Sequence, residues 1–125
     1  MPWLWAMAVT VWAVLLWRLS SRPIGVPVPS IPHWDKAAHL LYFTCGSFCF
    51  CRLLHLLRPA WSRRTLVLAT VAFATSVGAL DEFHQSFVPG RSGNDPWDWL
   101  ADTLGGLTGA LIYMLWMPRR AGNDG

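Results

Sequence analysis

Charge is scarce in this chain: 14% of its 125 residues are Asp, Glu, Lys or Arg, against 54% hydrophobic. Soluble domains carry about 25% charged residues, so this balance, with a mean hydropathy of +0.34, excludes the ordinary soluble class and indicates a membrane protein. At this length it is one domain at most. The formal net charge of +3 is small, and the basic residues form no stripe, which excludes nucleic acid as a partner. Cysteine is equally sparse: Cys45, Cys49 and Cys51 fall within one apolar run, the wrong place for a disulfide framework. Cys45 and Cys49 are one helical turn apart, a spacing that could hold a metal, but no further Cys or His completes a ligand set there. They are therefore read as small apolar residues, and no metal is assigned to them. Absent too are an HExxH pair, a phosphate-cradling glycine loop and any recognisable Ser/His/Asp order, so no motif names an enzyme class.

What is present is four long apolar runs. The first, Pro2 to Leu19, has nothing basic in front and no small-residue cleavage site behind, so an uncleaved transmembrane helix is expected rather than a signal peptide. The expected fold class is all-α, a four-helix transmembrane bundle with spans at about 3–19, 37–57, 65–82 and 98–117. Residues 20–34 contain the segment PIGVPVPSIP, whose prolines forbid helix and favour an extended linker; 83–97 form a polar loop. Of the 9 Trp, all but Trp12 fall at the ends of apolar runs, as an interfacial belt requires. Arg52 lies where it can snorkel to the interface. The last residues, AGNDG, are polar and expected to fray.

Three of the runs share one arrangement. Asp35, His39, Tyr42, Gly46 and Cys49 share a helical face, as do Gln85, Asp81, Gly78, Ala74 and Thr70, and again Asp98, Asp102, Gly105, Gly109 and Ile112. Each stripe is polar at one end and small farther down. Small faces pack inward and polar intramembrane groups avoid lipid, so the three polar ends should converge. Gly105 and Gly109 are spaced for close helix approach, within the bundle or in a homo-oligomer. His84 and His55 lie off the convergent face and are expected to be interfacial.

Basic residues set the expected orientation. Arg58, Arg63, Arg64, Arg119 and Arg120 stand on the side of the termini, against Arg18, Arg22, Lys36 and Arg91 on the other. This bias favours both termini in the cytoplasm and the polar cluster outside.

The stretches DKAAHLLYF at Asp35 to Phe43 and DEFHQSFVPGRSGNDPWDWLADTLGGLTG at Asp81 to Gly109 resemble the VanZ-like family of small bacterial membrane proteins. The resemblance covers roughly Asp35 to Trp116 and rests on the order and spacing of Asp35, Lys36, His39, Tyr42, Glu82, Gln85, Pro89, Gly90, Arg91, Asp98, Gly105 and Gly109. The family pattern usually carries Asn where this chain has Asp102. The resemblance implies a multi-pass protein of the bacterial inner membrane, and the name-giving member is associated with low-level resistance to the glycopeptide teicoplanin. It supplies no settled biochemical activity.

Three readings of the cluster stay open from its residues. In a structural one, Arg91 folds back over a type II turn at Pro89-Gly90 onto Glu82 or Asp98 and pins the loop. In an enzymatic one, Glu82, His39 and Asp35 are the catalytic groups and Lys36 and Arg91 hold the phosphate of a lipid-linked substrate; alternatively Asp35, Glu82 and Asp98 with His39 bind a divalent metal. In a binding one, Lys36, Tyr42, Gln85, Arg91 and Asp98 hold a lipid-linked or glycopeptide ligand without changing it. No cofactor is specified by the sequence.

Overall fold

The computed structural model describes residues 1–23 and 32–117. It contains four helices: α1 (Pro2–Ser20), α2 (Trp34–Leu57), α3 (Arg63–Gln85) and α4 (Pro96–Trp116). The proline-rich part of the expected linker, residues 24–31, and the expected C-terminal tail with Arg119 and Arg120 lie outside the described residues.

Local chemistry accounts for the helix ends. Pro2 and Pro96 occupy the first helical positions of α1 and α4, where proline's missing N–H costs nothing and its fixed φ suits a helix. Asp95 caps α4, its side chain accepting the Trp97 N–H at 2.9 Å, and Ser62 caps α3 through the Thr65 N–H at 3.1 Å. The helix α2 begins at Trp34, so Asp35 and Lys36 stand in its first turn. The helix α3 runs on to Gln85, which leaves 86–95 as the loop.

The chain runs up and down, so the end of α1, the start of α2, the end of α3 and the start of α4 meet at one pole. The helix α4 lies between α2 and α3, its most extensive contacts being with α2, while α1 docks on the outside against α2 and, less, α3. Lipid tails are as apolar as leucine, so close backbone packing rather than hydrophobic burial holds such helices together. At Gly109 a Cβ would collide with Thr44 O and lie 2.8 Å from Phe48 N; at Gly105 it would lie 2.6 Å from Leu40 O. This glycine face is therefore used against α2, and a dimer through it would require α2 to leave. Ile112, expected on the same stripe, is exposed, and Tyr113 is buried instead. The α3 stripe of Thr70, Ala74, Gly78, Asp81 and Gln85 is buried throughout.

The outer surface is apolar: Leu41, Leu68 and Leu115 are 64%, 59% and 87% exposed, as are most large side chains of α1. The helices α1, α2 and α3 are long and apolar enough to cross a membrane. The helix α4, expected as a fourth span, is not among the helices that are long and apolar enough by this measure. Its Asp102, Gly105, Gly106 and Gly109 are buried against its neighbours, so those positions need not be lipophilic. Trp12, the tryptophan away from a run end, is the buried one at 8% exposure. Its Nε1 donates to Tyr42 O at 3.1 Å, while Tyr42 Oη donates to Trp12 O at 2.8 Å. Gly46 makes room for the indole ring. The three cysteines are free thiols.

Candidate functional site

The polar pole gathers side chains from all three striped helices and the 86–95 loop. Its outer layer is organised by Lys36. The Nζ lies 2.5 Å from Asp35 Oδ2, 2.8 Å from Asp95 Oδ2 and 2.9 Å from Asp98 Oδ1, so one ammonium joins three carboxylates from α2, the loop and α4. The hydrogen bond from Lys36 holds the Asp95 carboxyl below the usual carboxylate range.

Beneath it lies a second layer. His39 Nδ1 and Asp102 Oδ1 are 2.7 Å apart, and His39 Nε2 is 3.9 Å from Asp98 Oδ2. With Asp102 ionised, the ring N–H at Nδ1 donates to it. Asp102 is fully enclosed and Glu82 is 4% exposed. Glu82 Oε2 accepts the Asp95 N–H at 2.8 Å, and Glu82 O accepts the Asn94 N–H at 3.3 Å, which ties the loop back onto α3. Among the described residues, Glu82 Oε1 and Asp102 Oδ2 have no hydrogen-bond partner. Two trios can hold a metal ion, each offering ligand atoms within 4.8 Å of one another: His39, Glu82, Asp102, and Asp35, Asp95, Asp98. The set Asp35, Glu82, Asp98 with His39 expected from the sequence is thus divided between two layers. Asp35 belongs to the outer one, half exposed and bound to Lys36, and has no contact that would let it share chemistry with Glu82.

A cavity of about 200 Å³ opens on the other side of His39, between α1, α2 and α3. Its polar lining comprises His39, Tyr42, Asp81, Gln85, Arg91 and Ser20; Leu16, Leu19, Ala38 and Phe43 make it apolar elsewhere. Asp81 Oδ2 accepts from Gln85 Nε2 at 2.7 Å, one turn on, and Gln85 Oε1 accepts from Arg91 Nη1 at 3.1 Å.

Arg91 corrects one expectation. The turn forms as the Pro-Gly pair requires, with Gly90 at φ 80° and Arg91 N donating to Val88 O at 3.1 Å. The side chain, however, pairs with neither Glu82 nor Asp98. Its Nε donates to Arg22 O at 2.9 Å and its Nη2 to Leu19 O at 3.1 Å, so the guanidinium caps the carboxyl end of α1, where the helix dipole favours a cation. Lys36 and Arg91 thus both bond protein acceptors. His84 takes no part in the acidic layers: it is stacked on Trp17 at 3.7 Å between ring centroids, with its Nδ1 3.4 Å from Ser20 Oγ. His55 and Arg52 lie at the opposite pole, where both reach Tyr113 Oη, at 2.6 Å and 3.2 Å.

Of the residues expected at the site, Asp35, Lys36, His39, Tyr42, Glu82, Gln85, Arg91 and Asp98 come together across the two layers and the cavity, with Tyr42 also bonded to α1. Asp81 and Asp102, expected on the converging stripes but given no chemical role, join them, as does Asp95, which the sequence expectations do not single out. Asp95 carries a readable signal, an Asp-Pro pair at a helix start; Asp102 lies on the polar stripe, but the family pattern, with Asn there, gives no reason to expect a carboxylate.

A family model described as VanZ/LLP1 matches residues 4–117. No curated protein and no solved structure matches the chain. The match runs through all four helices and both layers of the polar pole, which places the chain in the VanZ/LLP1 family of membrane proteins.

Proposed function

We propose that this is an envelope protein of the bacterial inner membrane whose polar pole binds the head of a lipid-linked or glycopeptide ligand, in the manner of teicoplanin-type resistance. The observation that carries the reading is the cavity between α1, α2 and α3, in which His39, Asp81, Gln85 and Arg91 face the same space as Leu16, Leu19 and Phe43. A mixed lining of this kind suits an amphiphile lying half in the bilayer. At about 200 Å³ it accepts one terminal group rather than a whole glycopeptide. With Asp81 and Arg91 both on its wall, it favours a head rich in hydroxyl or amide groups over a bare phosphate. The basic residues favour both termini in the cytoplasm, which sets the cavity on the outer side, where envelope precursors and antibiotics meet.

The test is expression in a teicoplanin-susceptible bacterium, reading the inhibitory concentration and, by native mass spectrometry, the lipid that the purified protein retains. Wild type raises the concentration and keeps a lipid. Ala38→Phe, which fills the cavity, abolishes both, and His84→Ala changes neither. Full activity in Ala38→Phe would overturn the proposal.

A further inference from the structure

The two acidic layers at the polar pole differ in what neutralises them. Asp35, Asp95 and Asp98 already have a cation among them, the Lys36 ammonium. The inner trio, His39, Glu82 and Asp102, has no lysine or arginine: among the described residues neither Glu82 nor Asp102 forms an ion pair with one, and the His39 ring at 2.7 Å from Asp102 is the only basic group paired with the two carboxylates. Both carboxylates are at least nine-tenths buried, yet Glu82 Oε1 and Asp102 Oδ2 have no hydrogen-bond partner among the described residues. Unpaired carboxylate oxygens out of water are costly, and such groups are usually paired or coordinate a metal.

The geometry points to a binding site for one divalent first-row transition-metal ion between His39, Glu82 and Asp102. Each residue offers one ligand atom, all within 4.8 Å of one another. Ligand atoms around a tetrahedral ion of this kind lie about 3.3–3.6 Å apart, so the trio closes by up to about 1.5 Å on loading. Asp102 Oδ2 would lie 2.7 Å from a Cβ added at Gly78, one turn before Glu82 on α3, so glycine there keeps the approach between the two carboxylates open. The bond from His39 Nδ1 to Asp102 Oδ1 leaves Nε2 turned toward Asp98 Oδ2. One imidazole with two carboxylates suits Zn²⁺ or Mn²⁺, whereas Mg²⁺ and Ca²⁺ take oxygen-only sets. The three cysteines take no part in either trio. This site does not depend on what occupies the neighbouring cavity.

The full chain in detergent, stripped with a chelator and dialysed, is titrated with Zn²⁺ and with Mn²⁺ by calorimetry, and its metal content is measured. One equivalent binds per chain. Affinity falls at least tenfold in Glu82→Gln, Asp102→Asn and His39→Gln and stays unchanged in His84→Ala. Because a variant can fail to fold, pulsed electron paramagnetic resonance of the Mn²⁺-loaded wild type provides a second readout, a single imidazole nitrogen coupled to the ion. Lack of stoichiometric binding, full affinity in both Glu82→Gln and Asp102→Asn, or bound Mn²⁺ without nitrogen coupling would each overturn the site.

Discussion

Replacing Glu82 by Gln separates a structural carboxylate from one kept for function, because it removes the charge and preserves the shape. In the metal-free protein the charge makes one identified contact, the 2.8 Å bond from the Asp95 N–H to Oε2. A bond to a charged group contributes about 1.5–3 kcal/mol and a neutral one about 1, so losing the charge there costs roughly 1 kcal/mol. Against this stands Oε1, buried and without a partner, a state worth about 1–3 kcal/mol of penalty. A neutral amide relieves much of that penalty and ends the repulsion from Asp98 and Asp102. The expected result is stability unchanged or raised by up to about 2 kcal/mol in the presence of a chelator. The assay is thermal or denaturant unfolding in detergent, followed by tryptophan fluorescence. A loss of about 3–5 kcal/mol, the cost of breaking a buried ion pair, would refute the reasoning and make Glu82 a structural partner of some cation. Repeating the measurement with Zn²⁺ should stabilise the wild type alone, by an amount that rises with the logarithm of metal concentration.

Other substitutions test the frame around the site. Gly109→Ala should lower stability by about 1–3 kcal/mol or more, since the added methyl meets backbone atoms of α2 that cannot rotate away; unfolding at the wild-type midpoint would refute the α2 to α4 packing. Arg91→Lys should behave like Arg91→Ala, because three separate acceptors require the guanidinium fork. Amide exchange in 86–95 should rise in both, and restored protection in the Lys variant would count against that account. Acid should release the start of α4. The Asp95 carboxyl is held below its ordinary value by Lys36, so its contribution is present above about pH 4 and is lost as pH falls through its folded value. The protection factor of the Trp97 amide, relative to its intrinsic rate at each pH, should fall on acidification, and constant protection down to about pH 2 would refute the assignment.

Features governed by neighbours along the chain are legible in the sequence alone. The four apolar runs are four helices, the Pro89-Gly90 pair forms its turn, and the α3 stripe from Thr70 to Gln85 turns inward as its period requires. The convergence of the polar ends also follows, since intramembrane charges have nowhere else to go. The destinations of the long side chains do not. Arg91 lies close in sequence to both Glu82 and Asp98, but α1 brings its final carbonyls within reach of the guanidinium, and the residues around Arg91 give no local sign of that.

Asp81 and Glu82 show the division most clearly. A helical wheel sets adjacent residues about 100° apart and so assigns only one of them to the packed face. Both are buried, because the end of α3 has neighbours on two sides: Asp81 faces the cavity beside α1 and α2, while Glu82 faces α4 and its loop. By itself the sequence determined which segments are helical, where the chain turns and which end of each stripe is polar, since period, length and turn chemistry are local. The helix rotations and neighbours, and with them the split into a lysine-neutralised layer and a buried layer with unpaired oxygens, were decided only by the tertiary packing of glycine faces that lets the backbones approach.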